Sequence, residues 1–210
     1  MGKKLEVAVN LCVIGACLFL AYERFSKTSD SKSKRVGPVP VADSLWLAAT
    51  SAPPLRGSSG GNLKVVIVTD VQCPFCREFE ATLAEFNKRK GNTVAQYLVH
   101  LPLPQHPFSK MGASAIECAR PFGRGDKVYE FLLAAQDSLP LYAIEKIASS
   151  SGIQDSRSFK RCVEAGQDSL LEAHESIVRG LGVVGTPTVI VNGYLWKQPP
   201  SLSQLLEEYN

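Results

Sequence analysis

Two cysteines with two residues between them, Cys73-Pro74-Phe75-Cys76, are the clearest chemical signal in this chain. Such a pair can close into a disulfide and reopen, exchanging two electrons with another dithiol. The same spacing also suits half of a zinc site, which needs two further ligands at compatible spacing. There is no second C-x-x-C, and His100, His106 and His174 are scattered. A disulfide that only braced so short a loop would stabilise little. Exchange is the favoured chemistry, with no metal and no cofactor beyond the cysteine pair itself.

An exchanging cysteine must be a thiolate, so something has to lower its pKa. The flanking sequence supplies the means. Lys64-Val65-Val66-Ile67-Val68-Thr69 is a β-branched run suited to a buried strand, behind a Gly/Ser loop at 57–62. Glu78 to Lys90 reads as a helix, with Phe79, Leu83 and Phe86 at helical spacing and Gly91 as its stop. The strand thus delivers Cys73 to a helix N-terminus, where unpaired N–H groups and the dipole favour negative charge. Pro74 suits the first helical turn, where its missing N–H costs nothing. Cys76, inside that turn, is the more shielded sulfur.

Val94 to Leu101 reads as a second strand, and strand–helix–strand order suggests a parallel βαβ unit. From Phe108 to Leu181 successive apolar stripes predict helices throughout, ending at Gly182. Strand signals return at Thr188 to Val191, then Asn192-Gly193 as a hairpin turn into Tyr194-Leu195-Trp196. Ser201 and Gln204 form a capping box for a last helix whose apolar face is Leu202, Leu205, Leu206 and Tyr209.

Composition is that of an ordinary globular chain: 210 residues, 45% apolar and 20% charged, with a net charge of +3, too small to argue for nucleic acid. Lys3 and Lys4 precede an apolar stretch from Leu5 to Tyr22, and a polar run follows from Glu23 to Arg35. The stretch is just long enough to span a membrane, and small residues in a cleavage pattern are missing near Phe19 to Glu23. An uncleaved anchor is the preferred reading. Ile14-Gly15-Ala16-Cys17 loosely matches a lipobox, so lipidation at Cys17 stays open, as does cleavage. The expected division is an anchor at 1–22, a polar linker at 23–43 and a folded domain at 44–210.

Across about residues 60–210 the sequence resembles the DsbA-like branch of the thioredoxin superfamily. The resemblance is carried by Thr69-Asp70-Val71-Gln72-Cys73-Pro74-Phe75-Cys76, Leu101-Pro102-Leu103 with His106-Pro107, Ile116-Glu117-Cys118-Ala119, and Gly185-Thr186-Pro187-Thr188. It implies an α/β thioredoxin-like fold with a helical insertion, about 107–181, between the two halves of the sheet. It implies Cys73 and Cys76 as the catalytic pair, supported by Asp70, Pro74, Phe75 and Thr186, with Pro187 a cis-proline facing them. It also implies a structural disulfide between Cys118 and Cys162; two separate buried thiols are the alternative. The activity implied is disulfide formation in cysteine-containing exported proteins, in the periplasm or cell envelope. A membrane or soluble redox partner would recharge the pair. A reductase, an isomerase or a non-catalytic peptide-binding module of the same fold are the other readings. Two departures point to a milder oxidant: the strand before the motif, Val66 included, has no acidic residue, and Pro74-Phe75 lacks the histidine of the family's strongest oxidant.

Overall fold

Near-continuous apolar strands demand cover on both faces of a sheet, and this chain supplies it from two sets of helices. A computed structural model describes residues 37–91, 93–141 and 143–209. The strands are β1 (Val39–Pro40), β2 (Leu63–Thr69), β3 (Val94–His100), β4 (Thr188–Val191) and β5 (Tyr194–Trp196). They form one sheet in the order β1-β5-β4-β2-β3. β2 and β3 are parallel, with Leu63 opposite Val94 and Thr69 opposite His100. β4 runs antiparallel to both β2 and β5. Asn192 and Gly193 turn the β4–β5 hairpin with φ of 47° and 85°, the left-handed pair such tight turns require.

The helices are α1 (Asp43–Ala49), α2 (Pro74–Arg89), α3 (Ser109–Ala119), α4 (Gly125–Ala134), α5 (Ile144–Ser150), α6 (Ser156–Ala165), α7 (Asp168–Leu181) and α8 (Leu202–Glu208). Alternation along the strands divides the core. Val65 and Ile67 of β2, Val94 and Leu98 of β3, and Val189 and Val191 of β4 face the side filled by α2, α8 and the inserted helices α3–α6. Val66 and Val68, Tyr97 and Val99, and Ile190 face the other side, with Ala49 of α1 and Ile177 and Val178 of α7. The inserted block is therefore split: α3–α6 build up one layer, and α7 crosses to close the other.

Three local outcomes differ from the sequence reading. Helix α2 starts at Pro74, a turn earlier than Glu78, because proline fits the first helical position and Cys73 already has extended backbone. The helical block is interrupted by 3-10 turns at Arg120–Phe122 and Gln136–Leu141, each containing a proline that cannot continue an α-helix. Sheet pairing starts ahead of residue 44. Val39 and Pro40 pair with Leu195 and Tyr194 at the sheet edge, so the last part of the expected linker belongs to the sheet. Leu5 to Tyr22 lies outside the described residues; among those described, no helix is long and apolar enough to cross a membrane.

Candidate active site

β2 ends at Thr69, and the chain turns through Asp70, Val71 and Gln72 into the first turn of α2. The Asp70 carboxylate fixes this turn. It accepts from the backbone N–H of Gln72 at 2.8 Å and of Leu103 at 2.8 Å, from His106 Nδ1 at 2.8 Å, and from the Ser109 hydroxyl. Asp70 is thus a buried hub joining the motif to the 101–106 loop and to α3. Gln72 adds a further tie, its side-chain oxygen accepting from the N–H of Phe108 at 2.6 Å. Gly112 of α3 has no side chain to spare: a Cβ there would lie 2.5 Å from Val71 Cγ2, so only glycine lets the helix approach this closely.

On the other side of the turn, the Gln136 amide donates to the carbonyls of Val71 and Cys73, each at 2.8 Å. Buried carbonyls need such partners. Gln136 comes from one of the 3-10 turns that interrupt the helical block, so the interruption is what aims it.

Cys73 caps α2, with Pro74 in the first turn and the N–H of Cys76 donating to the Cys73 carbonyl at 3.1 Å. Both sulfurs are reduced in this structure. Cys76 is 1% exposed and Cys73 4%, while Phe75 between them is 63% exposed, so an incoming group reaches Cys73 first. The Thr186–Pro187 peptide bond is cis, and the Thr186 carbonyl accepts from Cys73 Sγ at 3.3 Å. The Thr186 hydroxyl is buried beside it without a hydrogen-bond partner, free to turn toward a thiolate.

These neighbours separate the two thiols. Cys73 is lowered from its ordinary 9.0 to about 5, chiefly by the hydrogen bond from Cys76, with Thr186 and backbone N–H groups adding to it against the opposing effect of burial. Cys76 is pushed strongly upward, first by the same hydrogen bond, in which it keeps the proton, and then by burial. One sulfur is poised as nucleophile and leaving group, its partner as a proton-bearing reserve.

The second pair is joined: Cys118 of α3 and Cys162 of α6 form a disulfide with Cα atoms 5.8 Å apart. Of the scattered histidines, His106 is bonded to Asp70, and His100 Nε2 meets Glu117 at 2.9 Å. The backbone N–H of His100 donates to His174 Nδ1 at 2.9 Å, and burial lowers His174 to about 4.

A strand delivering a cysteine pair to a helix N-terminus, opposite a Thr-Pro loop, on a sheet of this order, has known counterparts. The profile described as Thioredoxin matches residues 49–208. The chain belongs to the thioredoxin family. A thioredoxin-like oxidoreductase from Silicibacter pomeroyi superposes with a TM-score of 0.61 at 23% identity, covering 77% of this chain and 93% of that one. BdbD from Bacillus subtilis gives 0.61 at 18% identity over 81% and 94%. The thiol-disulfide exchange protein α-DsbA2 of Wolbachia pipientis gives 0.63 at 18% over 79% and 90%. At these identities the likeness is one of fold, and the fold is that of DsbA-like thiol–disulfide oxidoreductases, inserted helices included. A curated relative, the Na(+)/H(+) antiporter NhaA 3 of Salinispora tropica, is 28% identical over 153 residues. That match takes in 72% of this chain, which spans about a quarter (23%) of the antiporter's length.

The sequence singled out Cys73, Cys76, Pro74, Phe75, Asp70, Thr186 and Pro187, and the structure brings all of them to one end of the sheet. It adds Gln136, Ser109, Thr69 and Tyr129, which sequence reasoning missed. Tyr129 is fully buried, and its hydroxyl lies 3.1 Å from that of Thr69. The available signal was a polar residue interrupting an apolar helical face, which marks a buried partner without saying which.

Proposed function

We propose that this chain forms disulfides in exported, cysteine-containing proteins, with Cys73 and Cys76 as the electron-carrying pair. The observation that carries the reading is the Cys73 thiol held down to about 5 by Cys76 and Thr186. A stabilised Cys73 thiolate favours the reduced enzyme, which makes the oxidised enzyme a donor of disulfides.

In the oxidised enzyme a substrate thiolate attacks Cys73 Sγ, forming a mixed disulfide, and the Cys73–Cys76 bond breaks. Cys76 leaves with the bonding electron pair and takes up a proton. A second substrate thiolate attacks the substrate sulfur of the mixed disulfide. The substrate disulfide forms and Cys73 leaves as the stabilised thiolate. Two electrons have moved from substrate to enzyme, and a separate redox partner must remove them. The loop 184–186 beside Cys73, with Val184 95% exposed, offers backbone and apolar surface to an extended substrate segment.

An extracytoplasmic setting, with Leu5 to Tyr22 as an anchor in the cytoplasmic membrane, accompanies this reading. It is supported by the Cys118–Cys162 disulfide, since such bonds persist in oxidising compartments. The test is direct. The oxidised full chain is mixed with a reduced, unfolded single-disulfide protein under anaerobic conditions. The expected outcome is one substrate disulfide formed for each enzyme disulfide consumed. A substrate left reduced, together with rapid reduction of its oxidised form by the reduced enzyme, would make the chain a reductase.

A further inference from the structure

A substrate whose sulfur is bonded to Cys73 must lay the rest of its chain along the neighbouring surface. The end of the sheet that carries Cys73 also carries the end of β3, because Thr69 and His100 are register partners. The chain leaving β3 stays beside the chain leaving β2. The Leu101 N–H donates to the Thr69 carbonyl at 2.9 Å, and the Leu103 N–H to the Asp70 carboxylate at 2.8 Å. Helix α7 covers the face of the sheet opposite α2.

Between the loop after β3 and α7 runs a groove of about 550 Å³, within the size range of ligand sites. Leu101 and Leu103 line it from the loop, and Leu171 and Val178 from α7. Val183 and Val184 line it too. Thr186, whose carbonyl accepts from Cys73 Sγ, follows Val184 by two residues. That is no more than about 7 Å along the chain. The groove is therefore continuous with the loop beside the reactive sulfur. Val184 is exposed, and Leu101, Leu103, Leu171 and Val183 are only half-buried, so apolar surface stands open to an incoming chain.

The charges around this groove do not balance. Lys110 pairs with Asp168 at 2.9 Å, and Arg179 with Glu175 at 2.7 Å. Glu172 is exposed and has no ion-pair partner among the described residues. Both cations lining the groove are thus taken, and one carboxylate is left over. An occupant gains by placing an apolar side chain between the walls and a basic side chain at Glu172. An acidic side chain there meets an unpaired charge of its own sign.

The geometry points to a specificity subsite: the groove between the loop after β3 and α7 takes the segment flanking the substrate's reacting cysteine, and selects a bulky apolar residue beside a basic one. The inference rests on the reading that substrates attack Cys73. The subsite adds no step to the exchange. It favours the encounter with a thiol in such a segment and holds that thiol at Cys73.

The test mixes the oxidised full chain with reduced two-cysteine peptides and follows peptide oxidation by acid quench and mass analysis. The peptides differ only at two adjacent positions near the first cysteine, tried on each side of it: leucine with lysine, leucine with glutamate, or serine with lysine. On one side, leucine with lysine is expected to react about tenfold faster than serine with lysine. It should react about threefold faster than leucine with glutamate at low salt. The charge preference should vanish in about 1 M salt, and the leucine preference should persist. Glu172→Lys is expected to reverse the charge preference, and Leu171→Ser to weaken the leucine preference. If the wild-type chain has no preference on either side, or folded Glu172→Lys keeps the wild-type preference, the subsite is overturned. Should Leu171→Ser not fold, Glu172→Lys, at an exposed position, decides alone. Equal rates from a full chain that sediments as a dimer would give the groove to a second copy and equally overturn the proposal. A wild-type chain that oxidises no peptide would instead refute the exchange reading itself.

Discussion

The two cysteine pairs of this molecule have the same atoms and opposite tasks. Cys73 and Cys76 share the first turn of one helix, beside the Thr186 carbonyl and above a buried set of hydroxyls. Cys118 and Cys162 are 44 residues apart and tie α3 to α6 within the inserted block. Cys118 is 2% exposed, with the Gln167 amide 3.6 Å from each sulfur of this pair. Burial alone does not separate the pairs, because Cys73 and Cys76 are buried too. What differs is electrostatic: at the first pair a hydrogen bond, a helix N-terminus and nearby carbonyls and hydroxyls divide one proton unequally between two thiols. The second pair closes a long loop and has no such division to make. A cysteine's reactivity is thus set by where the proton can go, and its structural value by how much chain it closes.

That contrast can be broken by substitution. Cys73→Ser is expected to reduce exchange with a dithiol reporter to the uncatalysed background. Cys118→Ala with Cys162→Ala should leave the exchange chemistry in place in whatever fraction stays folded. The same double variant is expected to lose on the order of 4 kcal/mol of stability by the chain-entropy account, read as a lower urea midpoint. If instead it destroyed the Cys73 thiolate signal in folded protein, the two pairs would not be independent.

Gln136→Leu strips the partner from two buried carbonyls and is expected to cost about 1–3 kcal/mol. It should also raise the Cys73 thiolate midpoint, seen in the ultraviolet titration of the reduced protein, because the turn carrying the sulfur is released. A midpoint unchanged from about 5 would mean that Cys76 and Thr186 hold the thiolate without help from the turn.

The last effect is on the pH dependence of stability. Cys73 in the folded, reduced protein lies at about 5, below its ordinary 9.0. Its contribution to stability is therefore present in full only above 9.0, shrinks as pH falls from 9.0 toward 5, and is lost below. Cys76, shifted the other way, opposes any gain above the ordinary thiol range. The denaturation midpoint of the reduced form, measured against the oxidised form, should fall between pH 8 and 5, the span bounded by about 5 and 9.0.

Much of this arrangement was legible in the sequence, for identifiable reasons. The β-branched run from Lys64 to Thr69 suited a buried strand, and it led straight to Cys73. Asn192-Gly193 named its turn through the backbone angles it permits. The capping box at Ser201 and Gln204 has both expected bonds. What stayed hidden depended on contacts between distant segments. Helix α1 has seven residues and no side-chain cap, and β1 has two residues, so neither left a periodic trace. Val39 and Pro40 therefore pair into the sheet ahead of residue 44, where the sequence placed the start of the folded domain. Periodicity placed an apolar face on α7 without saying that it covers the opposite side of the sheet from α3–α6. Gln136 is polar in a segment read as apolar helix, and its partners, the carbonyls of Val71 and Cys73, lie 65 and 63 residues earlier.

The central claim is that the Cys73 thiolate makes this pair a donor of disulfides. The most direct measurement is its reduction potential in the full chain, by equilibration with glutathione, acid trapping and mass analysis of the peptide holding Cys73 and Cys76. A potential between about −120 and −200 mV is the expected result and marks a disulfide donor. A potential near or below about −270 mV would contradict it and assign the same geometry to a reductase.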